Sequence, residues 1–220
     1  MLTPVTTTPT VFVVDDDGDL RDSLLTLLRA LGHFCEGFAS AEEFRASYTE
    51  PRAGCLLLDI RMPGQNGLEM YADLVHEGKR LPVIFITAHA DVTTAVAAMK
   101  TGAIEFLEKP FDKVTLADRV QKALIVDRSW RESDDRYNSL DRIVQQLSPT
   151  DRETLQMILE GVPNKVMAAR LLITLRAVEL RRQRLMQRLG VRSVAELLEV
   201  TITHRVLAEL RTVEQEWPLR

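Results

Sequence analysis

Cys55-Leu-Leu-Leu-Asp59 is a short apolar run that stops at a carboxylate. Three runs of the same kind stand elsewhere in the chain. Val11-Phe-Val-Val14 leads into Asp15 and Asp16, Val83-Ile-Phe-Ile86 into Thr87, and Ile104-Glu-Phe-Leu-Glu108 into Lys109. Runs of this length suit strands buried on both faces. In a parallel sheet all strand carboxyl ends lie on one edge, where open α/β proteins bind their ligands. Acid, acid, hydroxyl and amine would then meet in one crevice.

Between these runs the pattern alternates. Strands are expected near 11–15, 34–38, 54–59, 83–87 and 104–108, and amphipathic helices near 19–31, 41–47, 67–77, 92–101 and 113–126. In the first helix Leu20, Leu24, Leu27, Leu28 and Leu31 have the spacing of one apolar face. Five βα units in series predict a doubly wound, five-stranded parallel sheet with helices on both sides.

The remaining chain changes character. Residues 128–146 are highly charged and carry no strand signal, with neither Gly nor Pro across 111–148, which favours a helical linker over a loose tether. Tyr137, Leu140, Val144 and Leu147 lie at 3-4-3 spacing, one heptad after Trp130, a pattern that also suits a short coiled coil. Four helices are expected after it. Ser148 caps and Pro149 opens the first, which Gly161 stops; Asn164 caps the second, to about Leu172. Thr174 caps the third, stopped by Gly190, and Ser193 the fourth, continuing past Arg205. The expected domains are 10–127, a linker at 128–146, and an all-α four-helix unit at 147–208.

The chain has 220 residues, enough for two domains, and its 45% hydrophobic and 27% charged residues predict a soluble, folded protein. No apolar run approaches the roughly 18 residues of a membrane span, and the N-terminus lacks a signal peptide's basic and apolar regions. It reads as a disordered lead-in, and the expected location is cytoplasmic. Cys35 and Cys55 both sit in apolar stretches and read as buried thiols. Net charge is −4, but residues 1–147 carry 16 basic and 23 acidic side chains, against 12 and 9 in 148–220. Within 164–192 stand eight basic residues and one acid, Glu179. That run is either a solvated helix face or a polyanion contact.

The crevice has an expected chemistry. Asp15, Asp16 and Asp59 cannot all stay ionised side by side without a cation, and hard oxygen ligands suit Mg²⁺. One carboxylate could then attack phosphorus to give an aspartyl-phosphate, with Lys109 and the Thr87 hydroxyl contacting the phosphoryl group. Singly, each member could be a cap or turn residue.

Val13-Val-Asp-Asp-Asp17, Leu58-Asp-Ile-Arg-Met-Pro-Gly-Gln-Asn-Gly67, Ile86-Thr-Ala-His89 and Glu108-Lys-Pro-Phe111 resemble the signatures of the two-component receiver domain, over roughly residues 10–127. The resemblance implies a flavodoxin-like fold and phosphorylation of Asp59 by a sensor histidine kinase. It implies Mg²⁺ held by Asp16, Asp59 and the Arg61 carbonyl, with Asp15 acting mostly through water. Thr87 and Phe106 would be the switch pair, and Lys109-Pro110 would be cis. Arg61 and His89, two residues beyond Asp59 and Thr87, stand where receiver side chains influence phosphate lifetime; a loop histidine without a role is the plainer reading of His89.

Residues 147–205 resemble the LuxR-type helix-turn-helix domain, through Leu147-Ser-Pro-Thr-Asp-Arg-Glu-Thr-Leu155, Glu160-Gly-Val-Pro-Asn-Lys-Val-Met-Ala-Ala-Arg-Leu171 and Arg188-Leu-Gly-Val-Arg-Ser-Val-Ala-Glu-Leu197. Together the halves look like the FixJ/NarL class of response regulators. The residues agree with that reading. In the third helix Val178, Leu185 and Leu189 form a core stripe, while Arg176, Glu179, Leu180, Gln183 and Gln187 share another face. Glu179 can accept from cytosine, Gln183 can pair with adenine and Leu180 can touch a thymine methyl. Lys165, Arg181, Arg182 and Arg184 suit phosphates, as does the helix start at Thr174. Three positions depart from the family pattern: Ala177 stands where Thr is usual, Arg181 where His is frequent, and Leu175 where a polar residue is common.

The expectation is a transcriptional regulator that binds double-stranded DNA, switched at Asp59. Phosphorylation would reshape the face of helix 92–101 and strand 104–108 and pair two molecules, with RNA polymerase as a further partner. Assembly through 128–147 is the competing route to a dimer. The competing function is a phospho-switch whose helical unit binds proteins instead of DNA. No enzymatic activity is expected beyond self-phosphorylation and slow self-dephosphorylation of the aspartate.

Overall fold

A strand that is apolar at every position must be covered on both faces, and the fold is built to do that. The computed structural model describes residues 8–88 and 92–216. Its five strands are β1 (Thr10–Val14), β2 (Phe34–Phe38), β3 (Gly54–Asp59), β4 (Val83–Thr87) and β5 (Glu105–Glu108). They form one sheet in the order β2-β1-β3-β4-β5, and all four pairings are parallel. β3 and β4 are buried along their whole length, while the edge strands β2 and β5 are not.

Side chains alternate across the sheet, and each face has its own core. Phe12, Val14, Leu56, Leu58 and Phe85 pack against α2 (Ala41–Ser47), α3 (Gly67–His76) and α4 (Val92–Lys100). Val11, Val13, Cys55, Leu57, Ile84 and Ile86 pack against α1 (Gly18–Ala30) and the first turns of α5 (Lys113–Gln145). In α1 the buried face is centred on Leu24, Leu25 and Leu28. Leu31, expected on that face, is 44% exposed because the helix ends at Ala30 and Leu31 is its C-cap. Neither cysteine is in a disulfide; Cys55 is buried, and Cys35 is only half-buried on the edge strand.

α5 is one uninterrupted helix and carries the linker within it. The Asp112 carboxylate caps its start, accepting from the Val114 and Thr115 amides at 2.8 Å each. Two compact units divide inside this helix: one takes the chain up to Arg131 together with the residues from Glu214 on, and the other spans Glu132–Val213. In the second unit Leu147 is buried, and the Tyr137 ring stacks on His204, 5.2 Å between centroids. His204 Nε2 also lies 3.1 Å from Asp141 Oδ1. Of the apolar positions expected to suit a coiled coil, Leu147 and Tyr137 are thus engaged within their own unit.

The second unit holds the end of α5 with α6 (Pro149–Leu159), α7 (Asn164–Arg170), α8 (Leu175–Arg188) and α9 (Val194–Glu216). Met157, Ile158, Met167, Val178, Leu185, Leu189 and Leu197 form its core. The Ser148, Thr174 and Ser193 hydroxyls cap as expected, each accepting from the amide three residues on. The cap assigned to Asn164 is corrected. Asn164 is the first helical residue of α7, and Pro163 takes the cap position without a side-chain bond. α7 also ends at Arg170, so Leu172 falls in the turn with a φ of 53°.

The first unit is closed at the sheet's amino edge by a buried carboxylate. Asp127 of α5 is 4% exposed and accepts from the Gly54 amide, the first residue of β3, at 3.0 Å. Arg131 Nε donates to the same carboxylate at 3.0 Å, and the Arg80 guanidinium lies 4.1 Å over the Trp130 ring. Asp127→Ala would leave the Gly54 amide buried without its acceptor, so it should destabilise this unit by about 2 kcal/mol. Urea unfolding followed by tryptophan fluorescence checks this, and a midpoint equal to wild type would contradict it.

Candidate functional site

The strand order reverses between β1 and β3, and at that point a crevice opens at the carboxyl edge of a parallel sheet. Asp15 and Asp16 follow β1 and Asp59 ends β3, so the topology brings the three acids to the crevice. One oxygen from each lies within 4.8 Å of the others. Asp15 and Asp59 are buried and Asp16 is exposed, so the cluster is open to solvent on one side. An all-oxygen donor set with an open side fits a hard divalent cation that keeps some of its waters.

Lys109 follows β5 and reaches back into the cluster. Its Nζ lies 2.9 Å from Asp15 Oδ2 and 3.3 Å from Asp59 Oδ1. Its backbone amide donates to the Thr87 carbonyl at 2.8 Å, which fastens the end of β5 to the end of β4. Thr87 is fully buried there, and the Lys109-Pro110 peptide is cis. The charges shift one another. Burial pushes the Asp59 carboxyl up to about 6 and Asp15 and Asp16 add to this, against Lys109, which holds it down. Burial works against the Lys109 charge, but Asp15 and Asp59 outweigh it and lift the ammonium above its ordinary value.

The other crevice residues take different places. Phe106 of β5 is half-buried and packs against the α2–α4 side of the sheet. Arg61 is exposed in the loop after Asp59. His89 lies outside the described residues.

Gly67 escaped the residue-by-residue reading. A Cβ on it would come 2.2 Å from the Asp59 carbonyl oxygen, and its amide donates to Ile60 O at 3.0 Å. The start of α3 therefore presses directly on the main chain of Asp59. A glycine just after the capping Asn66 was the available signal, but the close approach is a tertiary fact.

In the second unit α7, the turn at 171–174 and α8 make a helix-turn-helix. Val178 and Leu185 are fully buried, so α8 presents its opposite side. Arg176, Glu179, Leu180, Gln183, Arg184 and Gln187 are all exposed there, as is Lys165 on α7. Arg181 and Arg182 stand on the two flanks, half-buried, with Arg182 Nη1 3.7 Å from Met167 Sδ. Thr174 is exposed, and its hydroxyl accepts from the Ala177 amide. Arg192 and Asn164 line a recess beside Glu179 and Gln183, which extends this surface past the helix itself.

Comparisons with known proteins agree with both halves. The family model described as "Response regulator receiver domain" matches residues 11–121, and the one described as "Bacterial regulatory proteins, luxR family" matches 145–201. Nodulation protein W of Bradyrhizobium diazoefficiens is 36% identical, covering 91% of this chain and 88% of its own length. Transcriptional regulatory protein FixJ of Azorhizobium caulinodans is 35% identical, covering 87% of this chain and 91% of its own. Among solved structures, response regulator StyR superposes with a TM-score of 0.82 at 38% identity, over 89% of this chain and 98% of that one. No helix among the described residues is long and apolar enough to cross a membrane. With a receiver domain followed by a luxR-family domain over the helical unit, this chain belongs to the two-component response regulators and is a DNA-binding regulator of transcription.

Proposed function

We propose that Asp59 is the phospho-acceptor, charged by a sensor histidine kinase, and that its phosphorylation switches how α8 engages DNA. The observation that carries this is Lys109, whose ammonium already bridges Asp15 and Asp59 at 2.9 and 3.3 Å. An Asp59 carboxylate oxygen attacks phosphorus; the bond from phosphorus to the kinase imidazole breaks, and an acyl phosphate remains. Asp59 must be ionised for this, so its raised pKa makes the attack pH-dependent. Asp16, Asp59 and the Arg61 carbonyl would hold Mg²⁺, with Asp15 acting through water. The ion supplies neutralisation of the crowded carboxylates and of the phosphoryl oxygens. Lys109 pairs with the phosphoryl group and the Thr87 hydroxyl bonds it. Phe106, half-buried on the neighbouring strand, follows the Thr87 movement inward.

The dimer forms on the face of α4 and β5. On α4 the large apolar side chains Val96 and Met99 are exposed at 46 and 55%, which suits a face that a second copy would cover. Two copies of α8 then address paired half-sites on double-stranded DNA. Glu179, Leu180 and Gln183 read bases, while Lys165, Thr174, Arg176, Arg181, Arg182 and Arg184 hold the backbone. Slow self-dephosphorylation, contact with RNA polymerase and a cytoplasmic location complete the reading.

The test is binding of the full chain to genomic fragments, with and without a small-molecule phosphodonor and Mg²⁺, at two salt concentrations. Phosphorylation should raise sequence-selective binding, and affinity should fall steeply with salt, with a logarithmic slope of about −0.9 per phosphate contacted. Asp59→Asn should abolish both the stimulation and the accompanying dimer seen by light scattering. A variant that dimerises with phosphodonor as well as wild type would refute the assignment.

A second outcome follows from the raised Asp59 pKa. The folded chain holds this proton up to about pH 6, whereas an ordinary aspartate loses it near 3.8, so stability falls as pH rises between those values. Without added cation, Asp59→Asn should therefore melt above wild type at neutral pH. The difference should close as pH drops below 3.8, where both chains carry a neutral group. A melting difference independent of pH would show that ionisation is not its cause.

A further inference from the structure

Asp15 is held by four partners from four places. Its amide donates to Phe38 O of β2 at 3.2 Å. Its Oδ1 accepts from the Asp17 amide at 3.0 Å, and its Oδ2 from Lys109 at 2.9 Å. The fourth is Arg21, on α1, whose Nη1 donates to the Asp15 carbonyl at 2.6 Å.

Arg21 runs past two glycines. Its stem crosses Gly37 of β2, where a Cβ would lie 3.4 Å from Arg21 Cγ and Cδ and 2.7 Å from Leu25 Cδ1. A side chain at Gly37 would clash with Leu25 and lie in van der Waals contact with that stem. The guanidinium end also passes Gly18, whose missing Cβ would sit 3.6 Å from Nη2. So a half-buried cation reaches from the helix face, over a strand, to the main chain of the turn carrying two of the three acids.

That turn needs holding. The carboxylates of Asp15, Asp16 and Asp59 repel one another, and the turn between β1 and α1 carries two of them. Lys109 counters the charge from the β5 side, but acts on Asp15 and Asp59 side chains. A charge-assisted bond to the Asp15 carbonyl restrains the backbone itself.

We propose that Arg21 is a positioning residue for the cation site: by anchoring the Asp15 carbonyl it fixes the turn that presents Asp15 and Asp16 to a divalent cation alongside Asp59. Arg21 touches neither the cation nor the phosphoryl group. The proposal rests on the reading of the acid cluster as a cation site.

The test uses the full chain with Mg²⁺ alone, followed by amide NMR shifts and calorimetry. Arg21→Met keeps a stem over Gly37 and removes the donors; Arg21→Lys restores one. Arg21→Met should bind Mg²⁺ about 10-fold more weakly, the scale of loss when a group that holds a metal ligand is removed. Arg21→Lys should recover most of the affinity. With a phosphodonor, the Mg²⁺ concentration giving half-maximal phosphorylation should rise for Arg21→Met, while the rate at saturating Mg²⁺ stays near wild type. Equal Mg²⁺ affinity in Arg21→Met and wild type overturns the proposal. So does a loss shared by Met and Lys variants in step with lower melting temperatures without cation, which would mean a role in folding alone. Absence of Mg²⁺ binding in wild type overturns the reading of the acid cluster, and this proposal with it.

Discussion

Three carboxylates with oxygens within 4.8 Å of one another are the constraint on which this receiver depends. Left alone they would push the ends of β1 and β3 apart. Lys109 opposes this from β5, its charge strengthened by the acids it bridges. Burial is the main reason that the Asp59 pKa is raised to about 6; Asp15 and Asp16 add to the rise and Lys109 works against it. A site in that condition is poised to take up positive charge. Buried, crowded carboxylates at a sheet edge are what a hard divalent cation would stabilise.

The rest of the domain holds those charges still. β3 carries Asp59 at its end and is buried along its length, with apolar layers on either side. At its other end the Gly54 amide is bonded to buried Asp127 of α5. Gly67 lets α3 press against the Asp59 main chain. Asp59 is thus fixed from both sides and from behind, and the crevice in front is where change can occur.

The helical unit is organised by the opposite charge. Its eight basic residues in 164–192 are displayed around an α8 whose apolar stripe is consumed by the core. Leu180 and Leu175 remain exposed within that basic surface, which gives a polyanion-binding face some apolar contact as well. The departure at Arg181 has a structural sense: it stands on the half-buried flank of α8, beside the exposed face of that helix. Nothing in the structure explains Ala177 in place of the usual Thr.

Much of this was legible in the residues. Apolar runs ending in Asp59, Thr87 and Lys109 specify strands and bring those polar groups to one sheet edge, because buried parallel strands cannot carry polar residues except where they emerge. Capping hydroxyls at Ser148, Thr174 and Ser193 mark helix starts, because the bond they make is local. Where a local signal had competition it failed: Asn164 is a good cap by type, but Pro163 already supplies the extended entry. Tertiary structure alone decided which distant groups meet. The Arg21 bond to Asp15, the Asp127 bond to Gly54 and the Tyr137 stack on His204 each join side chains to places that no periodicity connects. Local sequence determines backbone state and the sign of a surface, since those depend on neighbours along the chain. Which carboxylate is raised and which amide is satisfied depend on distance in space, and that exists only once the sheet has formed.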